Sequence, residues 1–168
     1  LNDAGAGYAM KAESERQFEQ FWGVNADPGT AGRPGVYQSY LFGPEERRVQ
    51  LILLDTRYFR SPLARDSARE YPGPYAPTND PQATILGAAQ WLWFQREVRR
   101  PADVRIIVSS IQILTEAHGW ESWANFPAER ARLLAALEQR AGGEVILVSG
   151  DRHFGEMSGN GPLVDITA

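Results

Sequence analysis

The chain has 168 residues, of which 43% are apolar and 23% charged, enough for one globular domain with a sizeable core. A formal charge of −4 at pH 7 argues against a surface that holds nucleic acid by neutralising its phosphates, while leaving room for one basic pocket for a small anion. No stretch approaches the roughly 18 apolar residues a membrane helix needs, and zero cysteines exclude disulfides, zinc knuckles and thiol chemistry.

The first residues, Leu1 followed by NDAGAGY, are small and read as the inside of a loop, so the expectation is a fragment with no signal segment of its own. A helix is predicted over Ala12 to Trp22, capped by Ser14, with Phe18, Phe21 and Trp22 on one side at three- to four-residue spacing. A glycine- and proline-rich connector, Gly23 to Gly35, leads to an aromatic and β-branched strand, Val36 to Phe42. The turn GPEERR then returns the chain along Val49 to Leu54, VQLILL, giving a hairpin whose second strand is interior. Asp55 and Arg57 follow that strand directly. The proline-bearing stretch Tyr58 to Pro81 shows no regular pattern, and stretches of that length are commonly functional or disordered.

Helical spacing resumes over Thr84 to Arg99, with Leu86, Trp91, Phe94 and Val98 on the inner face, Trp93 also packing, and Pro101 as the stop. Val104 to Val108 (VRIIV) is a short buried strand that opens into an irregular loop carrying Trp120, Trp123 and Phe126. Pro127 suits the first helical position, and Ala128 to Arg140 is amphipathic through Leu133, Leu134 and Leu137. Gly142 and Gly143 end that helix before the strand Glu144 to Ser149, and Leu163 to Ile166 is a further edge or returning strand. Strand, helix, strand, helix, strand predicts an α/β layered domain with crossovers.

In such a fold three interior strands end in polar residues: Asp55 with Arg57, Ser109 and Ser110 leading to Gln112, and Asp151 with His153. Ligands of open α/β sheets bind at that edge. A carboxylate, an imidazole and an amide oxygen are suitable metal donors, and a nearby arginine can clamp a phosphate, a combination that suits metal-assisted hydrolysis of a phosphate ester. Each residue also has an ordinary structural role. Asp151 follows a glycine as turn-capping residues do. His153 can be a hydrogen-bonded histidine, and Arg57 can pair with Asp55 or a neighbouring loop. His118 reads as a loop residue, and the tryptophans as packing.

Five segments then resemble, in order and across nearly the whole chain, the PhoD-like (alkaline phosphatase D) family of the calcineurin-like metallophosphoesterase superfamily. They are LILLDTRYFR (Leu51 to Arg60), AAQWLWFQREV (Ala88 to Val98), VRIIVSSIQIL (Val104 to Leu114), GWESWANFPAER (Gly119 to Arg130) and VILVSGDRHFGEM (Val145 to Met157). The resemblance implies a sandwich of two mixed β-sheets flanked by helices, export from the cell, and hydrolysis of phosphomonoesters and phosphodiesters at a two-metal centre of Ca2+ and Fe3+. It implies Asp151, His153 and Asn2 as metal ligands, with Asp151 and His153 the catalytic pair, and Arg57 as a phosphate contact or a brace beneath the site. Aspartate where the superfamily commonly has a histidine in Gly-His-x-His makes the position harder and favours calcium over zinc. Gln112 likewise stands where, or near where, many superfamily members place a histidine.

Against the family pattern, residues 1–168 read as the later portion of a single catalytic domain, cut at both ends, holding about half of the metal ligands. The expectation is a small phosphate-ester substrate for the longer protein and little or no activity for this chain alone. The competing reading is a non-catalytic α/β binding module that takes carbohydrate on the Trp120 and Trp123 loop, with no role for Asp151.

Overall fold

The computed structural model describes residues 2–24, 32–66, 68 and 73–168. Six strands make one mixed sheet in the order β1-β2-β5-β6-β8-β7. Its interior is β2 (Val49–Leu53), β5 (Val104–Val108), β6 (Glu144–Ser149) and β8 (Leu163–Thr167), all mutually parallel. The edges β1 (Gln38–Phe42) and β7 (Glu156–Asn160) are antiparallel to their neighbours. A separate two-stranded ribbon, β3 (Ala64–Arg65) with β4 (Tyr75–Ala76), lies within the stretch read as patternless.

Two crossover helices, α2 (Gly87–Glu97) and α3 (Pro127–Glu138), return the chain between parallel strands and cover one face of the sheet. Ile52, Ile107 and Leu147, in register across three strands, are fully buried there in one core with Trp91, Phe94, Leu133 and Leu137. The inner face predicted for α2 is the one the fold buries, including Leu86 and Val98. The helix starts later than expected because Thr84, Ile85 and Leu86 are committed elsewhere: all three donate to the buried carboxylate of Glu129 on α3. Gly143, at φ +75, closes the α3-to-β6 turn where any Cβ would run into the carbonyl of Ala102.

Several expectations need correction. Helix α1 (Lys11–Trp22) forms, but Met10 rather than Ser14 precedes it as N-cap, with no side-chain cap. The side carrying Phe18, Phe21 and Trp22 is exposed, at 44%, 79% and 64%. Periodicity reports which residues share a side and is silent on whether anything covers it. Much of the predicted connector, residues 25–31, lies outside the described residues. Of the two readings of Leu163 to Ile166, edge or returning strand, the edge is excluded: β8 returns beside β6 and is interior, because an unpredicted strand, β7, pairs with its other side. β7 reads EMSGN, a poor strand sequence; the Asn160–Gly161 corner, with Gly161 at φ +57, is the hairpin signal that marks it. The expected α/β fold, a mixed sheet flanked by helices, is the one observed; among the described residues the sheet's second face, with Leu51, Ile106, Ile146 and Val148 half-buried and Met157 exposed, carries no second large sheet. Strands apolar on both faces are what the sequence showed in VQLIL and VRIIV.

Candidate functional site

The carboxyl ends of β2, β5 and β6 are adjacent, so the three polar strand ends do meet on one rim. Asp55 is buried and fully engaged: one carboxylate oxygen accepts from the amides of Arg57 and Tyr58, both at 2.9 Å, and the other from Val36 at 3.0 Å. Gln90 of α2 accepts from the Asp55 amide. Asp55 therefore shapes the turn that presents Arg57 and does not pair with its guanidinium.

Arg57 reaches across the rim to Glu121. Its Nη2 lies 2.7 Å from Glu121 Oε2 and 3.8 Å from Asp151 Oδ2. The other oxygen of Glu121 is 2.9 Å from Nε of Arg60, and both side chains of that pair are almost wholly buried, at 1% and 2% exposed. Burial pushes the Glu121 carboxyl up to about 7 against the opposing pull of Arg60 and Arg57. Arg60 also donates to the carbonyl of Asp3, whose carboxylate accepts from the Tyr75 hydroxyl. Burial, then that bond, push the tyrosine up to about 12. The loop of residues 2–5 is thereby tied to the rim.

Asn2, Asp3, Trp120, Glu121, Asp151, Arg152 and His153 line one cavity of about 350 Å³ beside this ion cluster. All three candidate ligands named from sequence thus face the same space; Arg57 is not in its lining but contacts two residues that are, Glu121 and, at 3.8 Å, Asp151. Among the described residues, the non-glycine residues at positive φ are Asp3 (+53°), Asp151 (+70°) and His153 (+59°), and all three line this cavity. Such backbone is costly for L residues and concentrates at functional sites, where it holds side chains in place. Arg152, whose Nε is buried with no hydrogen-bond partner among the described residues, adds a second guanidinium. An anion is the chemistry that two arginines beside an exposed Asp151 and His153 would receive, with a cation needed to offset the carboxylates.

Behind the rim the polar residues are structural. Gln112 is buried, donating to Glu156 at 2.9 Å and Thr167 at 2.8 Å, with its oxygen 2.9 Å from His118 Nε2. Asp165 of β8, absent from the sequence candidates, accepts from the amides of Ile113 and Leu114 at 2.8 and 3.1 Å and from the Ser149 hydroxyl at 2.8 Å. It ties the loop after β5 to the ends of β6 and β8. Asp165→Ala, which leaves those buried amides without acceptors, is expected to cost about 2–4 kcal/mol in urea unfolding. Trp123 is fully buried with its indole donating to Ser109, so the two-tryptophan sugar platform does not exist; Trp120 alone, 44% exposed, lines the cavity.

The donors fit a metal in kind but not in number. Asn2, Asp151 and His153 offer an amide oxygen, a carboxylate and an imidazole, yet among the described residues no group of three or more His, Asp or Glu side chains forms a set able to hold an ion. Calcium takes 6–8 oxygen ligands, and these three side chains, of which only Asn2 and Asp151 offer oxygen, leave its shell unfilled.

The family model of the PhoD-like phosphatases matches residues 8–159, most of the chain and every segment of the rim except Asn2 and Asp3. The chain belongs to the PhoD-like phosphatase family. A solved structure described as "Structure of PhoD" shares the fold, with a TM-score of 0.62 at 20% identity over 78% of this chain. The chain spans 28% of the length of that PhoD. No curated protein matches it. PhoD-like proteins are generally metal-dependent and typically exported. No helix among the described residues of this PhoD-like chain is long and apolar enough to cross a membrane.

Proposed function

We propose that this rim is part of the active site of an exported metallophosphoesterase, and that its substrate is a small phosphate monoester or diester. The observation that carries the reading is the convergence of Asp3, Asp151 and His153, each in left-handed backbone, on a cavity whose lining residues Glu121 and Asp151 are contacted by Arg57. Asp151, His153 and Asn2 would hold the metal, with Ca2+ and Fe3+ suited to their oxygen and nitrogen donors. A metal bound there supplies an activated water and positive charge to offset that of the reacting phosphoryl group. Arg57, held by Glu121 on one side, would take the phosphate oxygens, and Arg152 would add to the positive potential on the same wall. The incomplete donor set implies that the chain alone hydrolyses phosphate esters slowly or not at all, and that further ligands come from outside these residues.

The test pairs metal content with hydrolysis of a chromogenic phosphodiester, on the chain alone and on the chain extended N-terminally in its own reading frame. The extended protein is expected to bind calcium and iron and to hydrolyse the ester. Asp151→Asn is expected to lower metal affinity by about tenfold or more and to reduce turnover with it. Unchanged metal content and turnover in Asp151→Asn would remove Asp151 as a ligand. An inert extended protein, supplied with both ions, would sink the phosphoesterase reading.

A further inference from the structure

We propose that a second cavity, between α1 and the ends of β2 and β5, is the subsite for an apolar or aromatic leaving group of the ester; this rests on the phosphoesterase reading and names the class of substrate. The cavity measures about 370 Å³, and Tyr8, Phe18, Val36, Leu54 and Tyr58 contribute its apolar walls. Arg57 lines it as well, and the same guanidinium stands 3.8 Å from Asp151 in the polar cavity. One side chain therefore lines one space and contacts the lining of the other, and an ester whose phosphate sits at Arg57 has its organic group beside the apolar walls.

The polar groups lining this cavity are largely engaged. The hydroxyls of Thr56 and Ser110 hydrogen-bond to each other, the Asp55 carboxylate is taken by three backbone amides, and Glu15, also in the lining, accepts from the Gly35 amide. Little is left there to bind a sugar or another polyhydroxylated group, whereas apolar area is available for burial. Lys11 sits 4.5 Å above the Tyr58 ring at the cavity's edge, where its charge and that of Arg57 offset the carboxylate of Glu15 in the same lining. This also accounts for α1: the helix buries none of its residues, and its Phe18 is a wall of the cavity.

The test uses this chain and two probes, phenylphosphonate and methylphosphonate, titrated by calorimetry. Phenylphosphonate is expected to bind about tenfold more tightly, the effect of burying much of one ring. Phe18→Ala, on a helix with no buried residue, is expected to cut that ratio to about threefold and to leave methylphosphonate binding unchanged. Methylphosphonate binding with no gain from the phenyl group would overturn the subsite and leave the phosphate site standing. A phenyl gain that Phe18→Ala does not touch would place the ring elsewhere and overturn it too. If neither phosphonate binds, both the subsite and the anion role of Arg57 fall.

Discussion

Glu121→Ala is expected to lower unfolding stability by about 3–5 kcal/mol, because it strands the guanidinium of Arg60, 1% exposed, without its carboxylate. The measurement is a urea titration, and the informative companion is the double variant Glu121→Leu with Arg60→Met. Replacing the buried pair by apolar groups of similar size is expected to recover most of the loss; a double variant as unstable as the single would show that the carboxylate contributes more than charge compensation. Functionally, the same substitution frees Arg57 from its brace, so phosphonate affinity falls along with stability. The pH dependence has a definite sign. Glu121 stands at about 7 in the folded protein against an ordinary 4.5, so the folded state holds the proton more tightly. Its contribution is complete below about pH 4.5 and is lost as pH rises through about 7. Wild-type stability measured relative to Glu121→Gln should therefore decline between those limits, and a rising difference would contradict the raised carboxyl.

Glu129→Ala is the second large effect. Glu129, in the first turn of α3, accepts from the Thr84 hydroxyl at 2.8 Å, from the amides of Ile85 and Leu86, and from the indole of Trp91. It thereby serves the start of α2 from a different helix. Removing it leaves two buried amides and a buried indole N–H without an acceptor, and opens space beside Trp91, 1% exposed. The expected cost is about 3–5 kcal/mol, or roughly 10 °C in Tm for a chain of this size. Glu129→Gln, which keeps the shape and one acceptor oxygen, is expected to lose less than half as much. Equal losses in the two variants would mean that packing around Trp91, and not the acceptor, sets the cost.

Neither of these carboxylates stood out in the sequence, and the reason is physical. Glu121 and Glu129 lie in GWESWANFPAER among other polar residues, and a glutamate in a loop or a first helical turn is ordinarily solvated. Their burial depends on partners far away in the chain: Arg57 and Arg60 for one, Thr84 to Trp91 for the other. Asp165 is the same case, recognisable only once β8 is placed beside β6.

What composition and pattern determined is local in origin. Runs such as VRIIV and VILV are too apolar to be other than interior strands, and the spacing of Leu86, Trp91, Phe94 and Val98 requires one buried helix face. Alternation of strands with helices then implies parallel pairing, and parallel pairing brings Asp55, Ser109 and Asp151 to one edge; the address of the site was legible for that reason. The family followed from five motifs in order, and the family model bears it out. Pairing and burial between distant residues were not legible: the exposed aromatic side of α1, the strand β7, and the Arg60–Glu121–Arg57 cluster. A side chain's neighbours at long sequence separation are set by how the elements pack, and periodicity along one element carries no information about what, if anything, lies against it.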